Sequence, residues 1–159
     1  MSTPPTVRGG YPGGGSTPLV GHLQQLLVDL TELHSQLTQL HRNVVGAGSR
    51  SVDLRLDEVA DDARRLADEV ADRLRAVGGA PDARSSTVAG DTTVPGVPSG
   101  RISARDALAY GAGALGAAAA TARRTSAVAH RDDPSSADLV HRIVVDLERH
   151  ARVLAAGTA

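Results

Sequence analysis

The chain has 159 residues, with 17 arginines and no lysine against 18 acidic residues, so its formal charge is -1 and the surface as a whole does not suit a polyanion binder. It holds no cysteine, which excludes disulfides and thiolate metal centres. Hydrophobic residues make up 41%, yet there is no Phe or Trp, one Met and two Tyr, so a core must come from Leu, Val and Ala, which favour close helix packing.

Residues 1–15, MSTPPTVRGGYPGGG, are rich in Gly and Pro and predict a flexible arm. Ser16 or Thr17 offers an N-cap with Pro18 just inside, and Leu19, Leu23, Leu26, Leu30, Leu33, Leu37 and Leu40 repeat at the helical period. A first helix over 17–45 follows, ended by Gly46 and Gly48. A second, over 49–77, buries Val52, Leu56, Val59, Ala63, Leu66, Val70, Leu74 and Val77 and stops at Gly78-Gly79. Residues 80–101 carry Pro81, Pro95 and Pro98 and predict a long crossover with one short helical turn near 85–90. Ser103 and Asp106 suggest a capping box for a third helix to about residue 130. Its Gly111, Gly113 and Gly116 each cost helix stability, which predicts close approach of a neighbouring helix. Asp133 and Pro134 start a fourth helix with Leu139, Ile143, Leu147 and Leu154 on its buried side. Four amphipathic helices with a long middle connection describe an all-α, up-down-down-up bundle of ferritin-like type, a single domain over 16–156.

A bundle of such small side chains is only moderately stable alone, so self-association is expected. No apolar run approaches the roughly 18 residues of a membrane span, and the N-terminus has neither a basic start nor an apolar signal core, so a cytoplasmic protein is expected. No nucleophile elbow and no phosphate loop ending in Gly-Lys is present.

The candidate chemistry lies in LHRNVVGAGSRSVDLRLDEVADDARRLADEVADRL, from Leu40 to Leu74. At about 100° per residue, Asp53, Asp57, Asp68 and Asp72 fall at roughly 0°, 40°, 60° and 100° around the helix, bordering its buried face. With His41 they make a set of hard oxygens and one imidazole, which suits divalent iron, manganese or zinc. The competing reading is a solvated acidic face paired with Arg64, Arg65 and Arg73. His22, His34, His141 and His150 lack convincing ligand spacing and read as structural. Asp132, Asp133 and Asp138 lie where carboxylates favour the positive end of the last helix.

The stretch LLVDLTELHSQLTQLHRNVVGAGSRSVDLRLDEVADDARRLADEVADRLRAVGGAPDAR, 26–84, resembles Dps, the DNA-protecting miniferritins of starved bacteria, and the likeness continues weakly to DDPSSADLVHRIVVDLERHARVL. The resemblance implies a hollow dodecameric shell that oxidises ferrous iron, preferably with hydrogen peroxide, at sites shared between two subunits, and stores ferric mineral. It implies catalytic roles for His41, Asp57, Asp68 and Asp72, with Asp53 as a further ligand to iron. Asp68 and Asp72 would come from the two-fold partner. In the family the region of Asp132, Asp133 and Asp138 borders the three-fold pores.

The departures carry consequences. Asp53 stands where the family has a second histidine, making the site more negative. Asp72 replaces a glutamate and is one methylene shorter. Arg42 follows His41 where an aromatic is usual, and turned inward it would compete with metal for the carboxylates. Ser49 replaces a loop Phe, and Arg152 a tryptophan common in the last helix. A second expectation is therefore a structural or nucleoid-associated homologue with impaired oxidation, and a third is co-assembly with a more typical Dps. Direct DNA binding is disfavoured, because the N-terminal arm holds only Arg8 and the C-terminus ends in AAGTA.

Overall fold

A computed structural model of the chain describes residues 17–158, so the arm expected over 1–15 lies outside the described residues. Helix α1 spans Pro18–Asn43, strand β1 Val44–Val45, helix α2 Ser49–Ala76, the short helix α3 Ser85–Asp91, strand β2 Ile102–Ser103, helix α4 Ala104–Asp132 and helix α5 Pro134–Ala156. The seven predicted leucines of α1 are all buried, as are Leu56, Val59, Ala63, Leu66, Val70 and Leu74 of α2 and Leu139, Ile143, Leu147 and Leu154 of α5. Together they fill one core between the four long helices.

Helix α1 ends two residues before the predicted limit because Val44 and Val45 leave the helix to pair in parallel with Ile102 and Ser103. That small pairing decides the topology. Since β1 leads into α2 and β2 into α4, the parallel register starts both helices from the same end of the bundle, which requires the crossover to return the chain along its full length. The up-down-down-up order follows.

Polar side chains along α1 hold the crossover in place. The Gln24 amide donates to the Asp82 carbonyl at 2.7 Å and accepts from the Asp82 amide at 3.0 Å. Gln25 donates to the Asp91 carbonyl at 2.9 Å, and Gln36 accepts from the Val97 amide at 2.7 Å. Between them the buried Asp29 takes five hydrogen bonds. Oδ1 accepts from the Thr93 amide at 2.7 Å, Thr92 Oγ1 at 3.1 Å and Gln25 Nε2 at 3.4 Å. Oδ2 accepts from Thr93 Oγ1 and Thr121 Oγ1, both at 2.7 Å. One carboxylate thus ties α1, the crossover and α4 together.

The capping box is present at the start of α4, where Ser103 Oγ accepts from the Asp106 amide at 3.1 Å and donates to its carboxylate at 2.8 Å. The glycine expectation holds at one position only. A Cβ on Gly111 would lie 3.0 Å from Leu154, 3.3 Å from Leu56 and 3.4 Å from Leu37, three leucines on three other helices. Gly113 and Gly116 instead face outward with no atom within 4 Å of such a Cβ, correcting the prediction that all three admit a neighbouring helix. Gly113→Ala and Gly116→Ala should each gain up to about 1 kcal/mol in urea unfolding from helix propensity. Gly111→Ala should lose about 1 kcal/mol net, because overpacking three buried leucines outweighs that gain.

Asp133 caps α5 by accepting from the Ser136 amide at 3.1 Å and ties it to α2 by accepting from Arg73 Nη2 at 2.6 Å. Hydrogen bonding from the Ser136 hydroxyl first, and from Arg73 next, holds its carboxyl below the usual range. A carboxyl lowered in the folded state stabilises above its unfolded value of about 3.9 and loses that contribution as pH falls through the folded value. Asp133→Ala should therefore cost about 1–2 kcal/mol at pH 7. In thermal melts the difference from wild type should shrink as pH drops below about 4.

Candidate metal site

The site begins with a tight connection. Gly46 and Gly48, at φ 95° and 75°, adopt the left-handed conformation that side chains disfavour. They fold the start of α2 back against the end of α1. His41, in the last turn of α1, is thereby set against Asp53 and Asp57, which stand one helical turn apart on α2.

His41 Nδ1 lies 2.9 Å from Asp53 Oδ1, and Nε2 lies 3.7 Å from Asp57 Oδ1. The His41 side chain is 23% exposed, against 43% for Asp53 and 56% for Asp57, so the imidazole is held in the protein while the carboxylates open outward. With Nδ1 donating to Asp53, the Nε2 lone pair points to the Asp57 side. Two ligands each about 2.1 Å from one ion stand up to about 4.2 Å apart, so the Nε2–Asp57 spacing admits a single cation. Asp53 engages the opposite ring nitrogen, the position from which a carboxylate orients a metal-binding histidine.

The structure therefore brings together three of the five predicted residues. Asp68 and Asp72 stand about 16 Å and 22 Å beyond Asp57 along the helix axis. Asp68 is exposed beside a groove with Leu27, Thr31, His34 and Arg64, and Asp72 is 79% exposed with Arg75 at 3.6 Å. Among the described residues of one chain, no three His, Asp or Glu side chains converge to hold a metal.

Of the three predicted competitors, Arg64 lines the same groove as Asp68 without pairing with it among the described residues, and the other two sit elsewhere. Arg65 pairs with Asp62 at 3.3 Å and Glu69 at 2.6 Å, and Arg73 with Asp133, so neither neutralises Asp53, Asp57 or Asp68. Arg42 is exposed and makes no ion pair among the described residues. Arg152 reaches Glu148 on its own helix at 4.0 Å. His150 is buried with Nε2 3.0 Å from Asp62 Oδ2, linking α5 to α2, which fits its structural reading. What sequence reasoning missed is Asp29; its signal was a carboxylate within the leucine stripe of LLVDL.

Comparison with known proteins agrees with this architecture. The family model described as "Ferritin-like domain" matches residues 20–157. The DNA protection during starvation protein of Halobacterium salinarum is 31% identical over 126 residues, covering 79% of this chain and 69% of that protein. The crystal structure of an archaeal Dps homologue from the same organism superposes with a TM-score of 0.83 at 28% identity, covering 89% of this chain and 79% of that one. The tetragonal form of Mycobacterium smegmatis Dps gives 0.84 at 25% identity, covering 92% and 91%. DpsA14 from Streptomyces coelicolor gives 0.83 at 28% identity, covering 87% and 83%.

The fold and the family match define a ferritin-like protein. Within that class the chain belongs to the Dps family of miniferritins. No helix among the described residues is long and apolar enough to cross a membrane.

Proposed function

We propose that two copies of this chain meet across a two-fold axis, so that His41 and Asp57 of one face Asp68 and Asp72 of the other, and that ferrous iron is the substrate of the shared site. The observation that carries this reading is the half-built donor set. His41 Nε2 and Asp57 stand at ligand spacing with no protein partner between them, while the remaining carboxylates of the same stripe lie too far along α2 to reach the same ion. An antiparallel second copy supplies what one chain lacks.

Asp53 acts in this reading as the group that orients His41, not as a direct ligand. Its negative charge stabilises a cationic centre through the imidazole. The carboxylates draw ferrous ions and hold them where each gives up one electron. With hydrogen peroxide as oxidant, two ferrous ions reduce one molecule, whose O–O bond breaks to yield two hydroxides, and hydrolysis of the ferric product releases protons. Closure of the pairs into a hollow twelve-subunit shell in the cytoplasm would retain the mineral.

Ferrous iron added anaerobically with peroxide to the purified protein should give a soluble ferric core that co-elutes with it. Oxidation no faster than a buffer blank, with no iron retained, defeats the reading. That outcome would favour a structural homologue, for which the Asp72–Arg75 pairing and the shortened Asp72 side chain give physical grounds.

A further inference from the structure

His34 lies two helical turns before His41 on the same side of α1. Its Nδ1 is 2.8 Å from the carbonyl oxygen of Ala60 on α2. A carbonyl can only accept, so Nδ1 carries a proton, and Nε2 is the ring nitrogen whose lone pair the neutral imidazole offers to a ligand. Donation of one ring N–H to a backbone carbonyl is the arrangement that fixes metal-binding histidines. His34 lines the groove between α1, α2 and Pro81–Ala83 that also holds Thr31, Arg64 and Asp68. The groove opens on the outer side of the α1–α2 pair, and no salt bridge closes its Asp68 side chain among the described residues.

Symmetry gives this histidine a second partner. Down the antiparallel pair, His41 stands beside Asp53 and Asp57, His34 beside Ala60, and Leu27 beside Ala67 and Asp68. A two-fold axis that sets His41 of one copy against Asp68 and Asp72 of another crosses α1 midway between His41 and the residues level with those aspartates, close to His34. We infer that the two copies of His34 face each other across this axis and form a second divalent-cation site, separate from the oxidation site and rich in imidazole. The inference rests on the shared-site reading above. Two imidazoles favour zinc or cobalt more than the carboxylate-dominated oxidation site does. Arg64, in the same groove, opposes the cation through its charge.

Cobalt(II) titration of the assembled full-length protein, followed by calorimetry and visible absorption, tests it. Wild type should show one class of sites that needs His41 and another that fills at about one ion per two chains. His34→Ala should remove the second class and leave the first, and Arg64→Gln should tighten the second, an effect a purely structural histidine would not produce. If His34→Ala fails to assemble, X-ray absorption on wild type loaded to the second class should count two imidazoles per cobalt. Absence of the half-stoichiometric class, its survival in His34→Ala, or a count of no imidazole overturns the proposal and leaves the shared site standing. Cobalt binding unchanged by His41→Ala would instead remove the shared-site reading, and this inference with it.

Discussion

Asp29→Ala is expected to lower stability by about 4 kcal/mol or more, because five donors converge on a carboxylate that is fully buried, and truncation leaves them unsatisfied inside the protein. For a domain of this size that corresponds to a fall in melting temperature of roughly 8–16 °C, measured at fixed protein concentration because self-association adds to apparent stability. Asp29→Asn keeps the shape and one acceptor oxygen but turns an NH2 group toward hydroxyl and amide donors, so its loss should be intermediate. The damage should be local before it is global. Thr92, Thr93 and Thr121 bring the crossover and α4 to the carboxylate, so limited proteolysis should cut residues 91–97 of the variant far faster than those of wild type. A melting temperature within 2 °C of wild type, by the relation of about 2–4 °C per kcal/mol, would mean that the network contributes little.

Complementation between two inactive variants is the second result expected to be large. His41→Ala removes the one imidazole of the proposed oxidation site, and Asp68→Ala removes a carboxylate that the reading assigns to the opposite subunit. Each variant alone should bind ferrous iron at least about 100-fold more weakly, since even loss of a group that merely orients a ligand costs about 10–100-fold. Co-assembled from equal amounts of both chains, about a quarter of the sites combine an intact His41 with an intact Asp68, so oxidation should return to about that fraction of wild type. The distance along α2 makes the test decisive. Asp68 lies about 16 Å beyond Asp57, so no rearrangement of side chains within one chain could restore the set. Mixed assemblies as inactive as either parent would show that the site is not shared.

Much of the fold was legible because its signals are periodic. The leucines of α1 and the stripe of α2 recur at the helical repeat, and every predicted leucine is buried. The caps at Ser103 and Asp133 depend on residues three positions apart, so local chemistry suffices to find them. The short strands escaped prediction because a two-residue parallel pair exists only when Ile102 is carried back beside Val44. Gly111, Gly113 and Gly116 look alike in the sequence, yet only the first meets leucines from three other helices, and that difference comes from helix rotation.

The candidate site divides in the same way. Residue types and spacing were enough to propose His41 with the aspartates of α2, because the helical repeat places all four carboxylates on one side. The tertiary structure fixed which of these residues meet within one chain. It put Asp53 on Nδ1 and Asp57 near Nε2, kept Arg65 and Arg73 occupied elsewhere, and left Asp68 and Asp72 out of reach. Helical class and core composition were written in the sequence, since each depends on residues within a few turns of one another. Topology, the buried Asp29 knot and the division of the aspartates depended on tertiary structure, since each arises from contact between segments tens of residues apart.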